Sequence, residues 1–211
     1  MVFTDRQEAG KKLAEKLEKY KGRDTIIYAL PRGGVVVGAE IAKILHCPLD
    51  LIIVRKVGHP YQPEYAVCAV AENSHLICNE EEVARIDQQW LKKEIEKERQ
   101  EAVRRHQVYL SGLKLPAVKG KVAVLVDDGI ATGLTMETAI QELRHGQPQK
   151  LVVAVPVAPK ETVDKLSSEV DEVVGLSINE YFLGAIGAYY EYFPQVSDEE
   201  VIQIMKEANK L

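Results

Sequence analysis

The sequence predicts an α/β fold, a mostly parallel twisted sheet covered by helices on both faces. Two observations carry this prediction. Apolar, largely β-branched runs recur at TIIYAL (25–30), LDLIIV (49–54), KVAVLVDD (121–128) and LVVAVPV (151–157), and three of the four lead into helical patterns. The first two runs are separated by enough chain for a crossover helix, which makes them parallel neighbours in a βαβ unit.

The elements follow in order. Ala9, Leu13, Leu17 and Tyr20 fall at helical spacing, so residues 4–20 read as an amphipathic helix with Thr4 as its N-cap and Gly22 just past its end. The first strand stops at Pro31-Arg32-Gly33-Gly34, and VVVGAEIAKIL then reads as a helix to Leu45. Beyond Arg55 the chain turns polar, and Gly58, Pro60 and Pro63 ahead of two short strand-like pieces predict a mobile loop and a hairpin. Residues 80–110 give the longest helical pattern. Val83, Ile86, Trp90, Leu91 and Ile95 form its apolar stripe, and Lys92/Glu96 and Glu101/Arg105 are its i,i+4 pairs on a solvated outer face. The strand at 121–128 is followed by a helix to Arg144, the next strand by a helix near 159–166, and EVVGLSI forms a further strand. Tyr181, Phe182, Tyr189, Tyr190, Tyr192 and Phe193 crowd the tail. They either pack on the core or roof a ligand. Ser197 with Glu200 predicts a capping box at the start of the last helix.

Composition narrows the classes of function. Of 211 residues, 46% are hydrophobic and 28% charged, enough for a core without structural metal or disulfides. The net charge of −5 argues against a dedicated nucleic-acid binder. The three cysteines, Cys47, Cys68 and Cys78, are odd in number and in no metal-binding spacing, so neither a disulfide framework nor a zinc site is expected and a reduced cytoplasm fits. No apolar run approaches the ~18 residues of a membrane helix, and the N-terminus lacks the apolar centre of a signal peptide.

The chemistry concentrates in VAVLVDDGIATGLTM, 122–136. A buried strand delivers Asp127 and Asp128 to its C-terminal end, where open α/β sheets bind ligands. Gly129, Ile130, Ala131, Thr132 and Gly133 then open a helix whose first amides, with the Thr132 and Thr135 hydroxyls, make an anion site. Carboxylates beside a phosphate cradle suit a ligand with hydroxyls or a metal next to its phosphate. A ribose 5-phosphate has that chemistry, and the same acids can share Mg²⁺ with substrate oxygens. A P-loop is excluded because Leu134 stands where its lysine is required, and no GxGxxG follows the first strand.

The stretch VLVDDGIATGLTM, 124–136, closely resembles the 5-phosphoribosyl-1-pyrophosphate (PRPP) loop of the type I phosphoribosyltransferases, and the likeness runs along most of the chain. It is nearest to stand-alone bacterial proteins named for the family alone. The resemblance implies a single domain over 1–211, with a Rossmann-like core at about 22–170, a flexible loop at about 55–72 and a hood at about 175–196. It implies that Asp127 and Asp128 bind the ribose hydroxyls and Mg²⁺, and that Gly129 to Thr135 hold the 5-phosphate. Arg32, Gly33 and Gly34 match the pyrophosphate loop in position. A cation with two glycines at a helix N-terminus also suits a diphosphate on its own terms. Basic residues at the places of Arg55 and Lys56 approach the pyrophosphate in this family, and residues 58–64 resemble its closing loop. Ala131 stands where the branch acting on 6-oxopurines usually has Asp, which lowers the expectation of hypoxanthine or guanine as acceptor.

The implied reaction is Mg²⁺-dependent displacement of pyrophosphate from C1 of PRPP by a nucleobase or related acceptor. Arg32, Arg55 and Lys56 would stabilise the leaving group. The competing expectation is a PRPP- or nucleotide-sensing regulator without catalysis, its nucleic-acid surface gathered from Lys11, Lys12, Lys16 and Lys19. Hydrolysis of phosphoribosyl compounds is a third. A homodimer is the expected assembly, as is common in the family.

Overall fold

The computed structural model describes residues 2–21, 24–110, 112–113 and 115–210. In chain order the first half contains α1 (Arg6–Lys16), β1 (Thr25–Ala29), α2 (Gly33–Leu45), β2 (Leu49–Leu51), β3 (Val54–His59), β4 (Gln62–Ala71) and β5 (Leu76–Cys78). There follow α3 (Glu80–Val83), α4 (Gln88–Tyr109), β6 (Val122–Val126), α5 (Leu134–His145), β7 (Lys150–Pro159), α6 (Lys160–Leu166), β8 (Glu172–Asn179) and α7 (Asp198–Ala208).

The main sheet is parallel throughout, in the order β2-β1-β6-β7-β8. Its strands are apolar at nearly every position because both faces are covered. Ile27, Ala29, Val124, Val126, Val152 and Ala154 pack with Leu13 and Leu17 of the N-terminal segment, Val37 and Ile41 of α2, and Val201 and Met205 of α7. Alternate residues, among them Ile26, Tyr28, Leu125 and Val153, meet Met136, Ile140 and Leu143 of α5 and Leu166 of α6. The α/β class read from the sequence is the architecture found.

Several boundaries differ from the sequence reading. The first helix begins after Asp5, whose carboxylate accepts from Glu8 N, rather than at Thr4, and it gives way to a 3₁₀ turn at Glu18–Tyr20. The predicted stop at Gly22 lies outside the described residues. The apolar run 49–54 serves two sheets: Leu49–Leu51 pairs with β1, and Val54 begins an antiparallel sheet, β3-β4-β5. Apolar content could not reveal that break, since both pieces belong to one continuous apolar run. The long helical pattern is interrupted at residues 84–87, and Asp87 caps α4 by accepting from Trp90 N. On that helix Glu101 pairs with Arg105 as predicted, whereas Glu96 pairs with Arg99 in place of Lys92. The capping box of Ser197 and Glu200 is present.

The cysteine expectation needs correction. Cys68 on β4 and Cys78 on β5 are register partners and form a disulfide. Ten residues apart and in no known spacing, they are brought face to face by the hairpin, a register that counting cysteines does not encode. Cys47 is free and buried.

One half-buried acid gives a stability prediction. Asp50 on β2 accepts from Leu51 N, and burial pushes its carboxyl up to about 6 from 3.8. A carboxyl raised on folding binds its proton more tightly in the native state. Its charge therefore costs nothing below pH 3.8, and the penalty grows until it is complete above about pH 6. Asp50→Asn is expected to stabilise the fold above pH 7 by on the order of 2–3 kcal/mol and to change little near pH 3.5. Thermal melts of both proteins across that range would check the sign. An equal shift at both pH values would contradict it.

Candidate functional site

Strand order reverses between β1 and β6: the connection from β1 leads outward to β2, and that from β6 leads the other way to β7. The crevice at the carboxyl ends of two such strands is where open α/β sheets place ligands. Both loops singled out in the sequence open there. Arg32-Gly33-Gly34 follows β1, and Asp127-Asp128 follows β6, directly beside β1 in register.

The two loops touch. A Cβ on Gly33 would lie 1.8 Å from Asp128 Oδ2, and one on Gly34 would lie 2.9 Å from Asp127 Cα. Glycine is required at both places because the backbone of one loop rests against the acids of the other. Asp128 N donates to Asp127 Oδ1 at 2.8 Å. Burial, and then the neighbouring Asp128 charge, raises the Asp127 carboxyl well above the ordinary carboxylate range.

Around the acids lies a cleft of about 190 Å³, lined by Lys56, Asp127, Asp128, Gly129, Ile130, Ala131, Thr132, Gly133 and Thr135, with Met136 and Ile186. Gly133, at φ +87°, turns the chain into α5 in a left-handed conformation that suits glycine. The Thr135 hydroxyl in the first turn of α5 is buried and has no hydrogen-bond partner among the described residues. An unpaired buried hydroxyl is costly, which makes it a sign of a ligand acceptor in the cradle.

Two of the predicted cations are engaged elsewhere. Arg55 donates through Nε to Glu98 on α4 at 2.8 Å, while the adjacent Lys56 lines the cleft. Arg32 lies 3.5 Å from Asp198 at the start of α7. The hydroxyl of Tyr109 donates to the same carboxylate oxygen at 2.7 Å, and that bond is the largest cause of a lowered Asp198 carboxyl. Burial pushes the Tyr109 phenol up to about 12.

The sequence reading missed Arg6 and the role of Tyr190. Arg6 Nε donates to Asp128 Oδ2 at 2.7 Å, and the hydroxyl of Tyr190 donates to the carbonyl of Asp128 at 2.6 Å. Part of the aromatic tail takes the packing alternative, and none of its aromatic residues lines the cleft around the acids. Tyr189 and Tyr190 are buried with Phe3, while Tyr181 and Tyr192 are exposed. Of the lysines that could have formed a basic stripe, Lys12 pairs with Glu8, Lys19 with Glu172, and Lys16 donates to the carbonyl of Gly175.

Among the described residues no group of three or more His, Cys, Asp or Glu side chains is arranged to hold a metal. Two carboxylates fit Mg²⁺ in the manner in which it commonly binds, through one or two protein acids with substrate oxygens and water completing its shell. Among those residues no helix is long and apolar enough to cross a membrane.

Comparison with known proteins agrees with this geometry. The family described as "Phosphoribosyl transferase domain" matches residues 4–191. "Putative phosphoribosyl transferase Rv0571c" of Mycobacterium tuberculosis (strain H37Rv) is 38% identical over 211 residues, 99% of this chain and 47% of its own. The chain thus spans about half the length of the curated relatives it matches. The crystal structure of TT1426 from Thermus thermophilus superposes with a TM-score of 0.81 at 42% identity, covering 98% of this chain and 99% of that one. A stretch of 77 residues, 36% of each chain, is 32% identical to a uracil phosphoribosyltransferase of Aquifex aeolicus.

Proposed function

Because the chain belongs to the phosphoribosyl transferase domain family, we propose that it transfers the 5-phosphoribosyl group of PRPP to a small nucleobase-like acceptor, releasing pyrophosphate. The observation that carries this reading is the meeting of the acid pair with the glycine loop at the reversal of strand order, beside a cradle holding the unpartnered Thr135 hydroxyl.

In this reading Asp127 and Asp128 accept hydrogen bonds from the ribose hydroxyls. The amides of 129–135 and the Thr135 hydroxyl hold the 5-phosphate. The Gly33-Gly34 backbone and Lys56 face the departing pyrophosphate, whose growing charge they stabilise in the transition state. Arg32 joins them by exchanging its carboxylate partner, Asp198, for phosphate oxygens, whereas Arg55, on the opposite face of β3 from Lys56, keeps its ion pair with Glu98. Asp127 and Asp128 would hold Mg²⁺ together with substrate oxygens, and bound Mg²⁺ would offset the charge of the pyrophosphate. Ala131 offers no carboxylate to a purine N7, and the local likeness to a uracil phosphoribosyltransferase points the same way, toward an acceptor other than a 6-oxopurine. A homodimer is the assembly that the family resemblance carries with it.

The test is ³¹P NMR of the protein with Mg²⁺ and PRPP, with and without a pool of purine and pyrimidine bases. Base-dependent release of pyrophosphate is expected, and dividing the pool names the acceptor. Binding of intact PRPP without turnover on any base would favour the sensing regulator instead. Asp128→Asn should weaken PRPP binding and turnover while the protein keeps its fold by circular dichroism. Unchanged PRPP affinity and turnover in that variant would remove Asp128 from the site.

A further inference from the structure

Arg6 is the first residue of α1, where the partial positive charge of a helix N-terminus disfavours a cation. Such a residue needs a tertiary partner, and Arg6 has three. Nε donates to Asp128 Oδ2 at 2.7 Å, Nη1 donates to the carbonyl of Pro194 at 2.8 Å, and the guanidinium carbon sits 3.7 Å from the centre of the Phe193 ring. Both charged side chains are largely buried, at 9% exposure for Arg6 and 16% for Asp128.

The chain is built to deliver this side chain. Gly10, one turn further along α1, meets α2 so closely that a Cβ there would lie 2.8 Å from the carbonyl of Val37. A Cβ on Gly33 would come within 2.9 Å of Arg6 Nε. The preceding residues are fixed as well, since Phe3 N donates to Tyr189 O and Glu191 N to Phe3 O, both at 2.8 Å. The N-terminal segment and residues 189–194 thus form one unit that grips Asp128 twice, by Arg6 at its carboxylate and by Tyr190 at its carbonyl.

We propose that Arg6 is a positioning residue of the phosphoribosyl site: it fixes the Asp128 carboxylate through one oxygen and so presents the other to the ribose hydroxyls. The inference rests on the reading of Asp128 as a ribose ligand. Arg6 itself touches no substrate in this assignment. Its guanidinium plane is committed to Phe193 and its fork to Asp128 and Pro194, a geometry that lysine cannot reproduce.

The experiment compares wild type, Arg6→Gln, Arg6→Lys, Asp128→Asn and the Arg6→Gln/Asp128→Asn double variant. PRPP affinity is measured by calorimetry with Mg²⁺, and KM and kcat by pyrophosphate release. Arg6→Gln is expected to weaken PRPP binding about tenfold, the scale of one charge-assisted hydrogen bond, and to raise KM more than it lowers kcat. Arg6→Lys should fall between wild type and Arg6→Gln. In the Asp128→Asn background, Arg6→Gln should add less than about twofold, because its effect passes through Asp128. Should Arg6→Gln fail to fold, Phe193→Leu, which removes the platform under the guanidinium, is expected to raise KM for PRPP severalfold. Unchanged PRPP affinity in Arg6→Gln, or a tenfold loss that persists in the Asp128→Asn background, would overturn the assignment while leaving the proposed function standing. Failure of the wild type to bind PRPP would overturn both.

Discussion

Lys56→Ala is expected to lower turnover with PRPP about 10²–10³-fold, the usual consequence of removing one preorganised group from a site of developing negative charge. The side chain lines the cleft beside the acids, is exposed, and lies close enough to favour the charged form of Asp127. Its removal should therefore leave Tm nearly unchanged, as for other exposed substitutions. The adjacent Arg55→Ala is the informative contrast. Arg55 is bound to Glu98, whose side chain is 13% exposed, so its loss strands a buried carboxylate and should lower Tm. Steady-state pyrophosphate release and thermal melts on both variants separate the two roles. Equal loss of turnover with equal loss of stability would contradict the difference drawn between these neighbours.

Gly33→Ala is expected to cost about 10²-fold in turnover, because misplacing a reacting group by about 1 Å already has that effect. The added methyl would occupy space 1.8 Å from Asp128 Oδ2, so either the carboxylate or the whole loop must move. In the proposed reaction the acid holds the transferred ribosyl group and the loop amides the departing pyrophosphate, so a shift of either disrupts the alignment of the two. The variant should also weaken PRPP binding in calorimetry. Wild-type kinetics in Gly33→Ala would show that the two loops need not touch.

Much of this site was legible because its chemistry is local in sequence. The acids, small residues and hydroxyls of 127–135 lie on one strand-loop-helix connection, where composition and spacing suffice. The sequence set both loops at the exits of strands in one sheet but did not pair those strands; it is the register of β1 with β6 that brings Gly33-Gly34 against the acids. Contacts made across the chain could not be read the same way. Arg6 and Asp128 are separated by 122 residues, and an amphipathic pattern assigns α1 to the core without saying where its first residue reaches. The one available signal was a cation at a helix start, where an acid is favoured. Arg55 and Lys56 looked alike in sequence, yet successive residues on a strand point to opposite faces, and only one of them faces the cleft. The Cys68–Cys78 bond was hidden for a related reason, since strand register depends on a turn that alternation alone does not fix.

The acids and Lys56 belong to different sheets. Asp127 and Asp128 end a strand with every residue buried in the five-stranded sheet, whereas Lys56 rides on the antiparallel β3-β4-β5 sheet. Such pieces are natural candidates for separate cooperative units, each able to open at its own free-energy cost. A ligand spanning the cleft would stitch the seam between them, so that opening either unit would first require releasing it. Affinity for substrate and resistance of the smaller sheet to local unfolding thereby become two readings of one quantity.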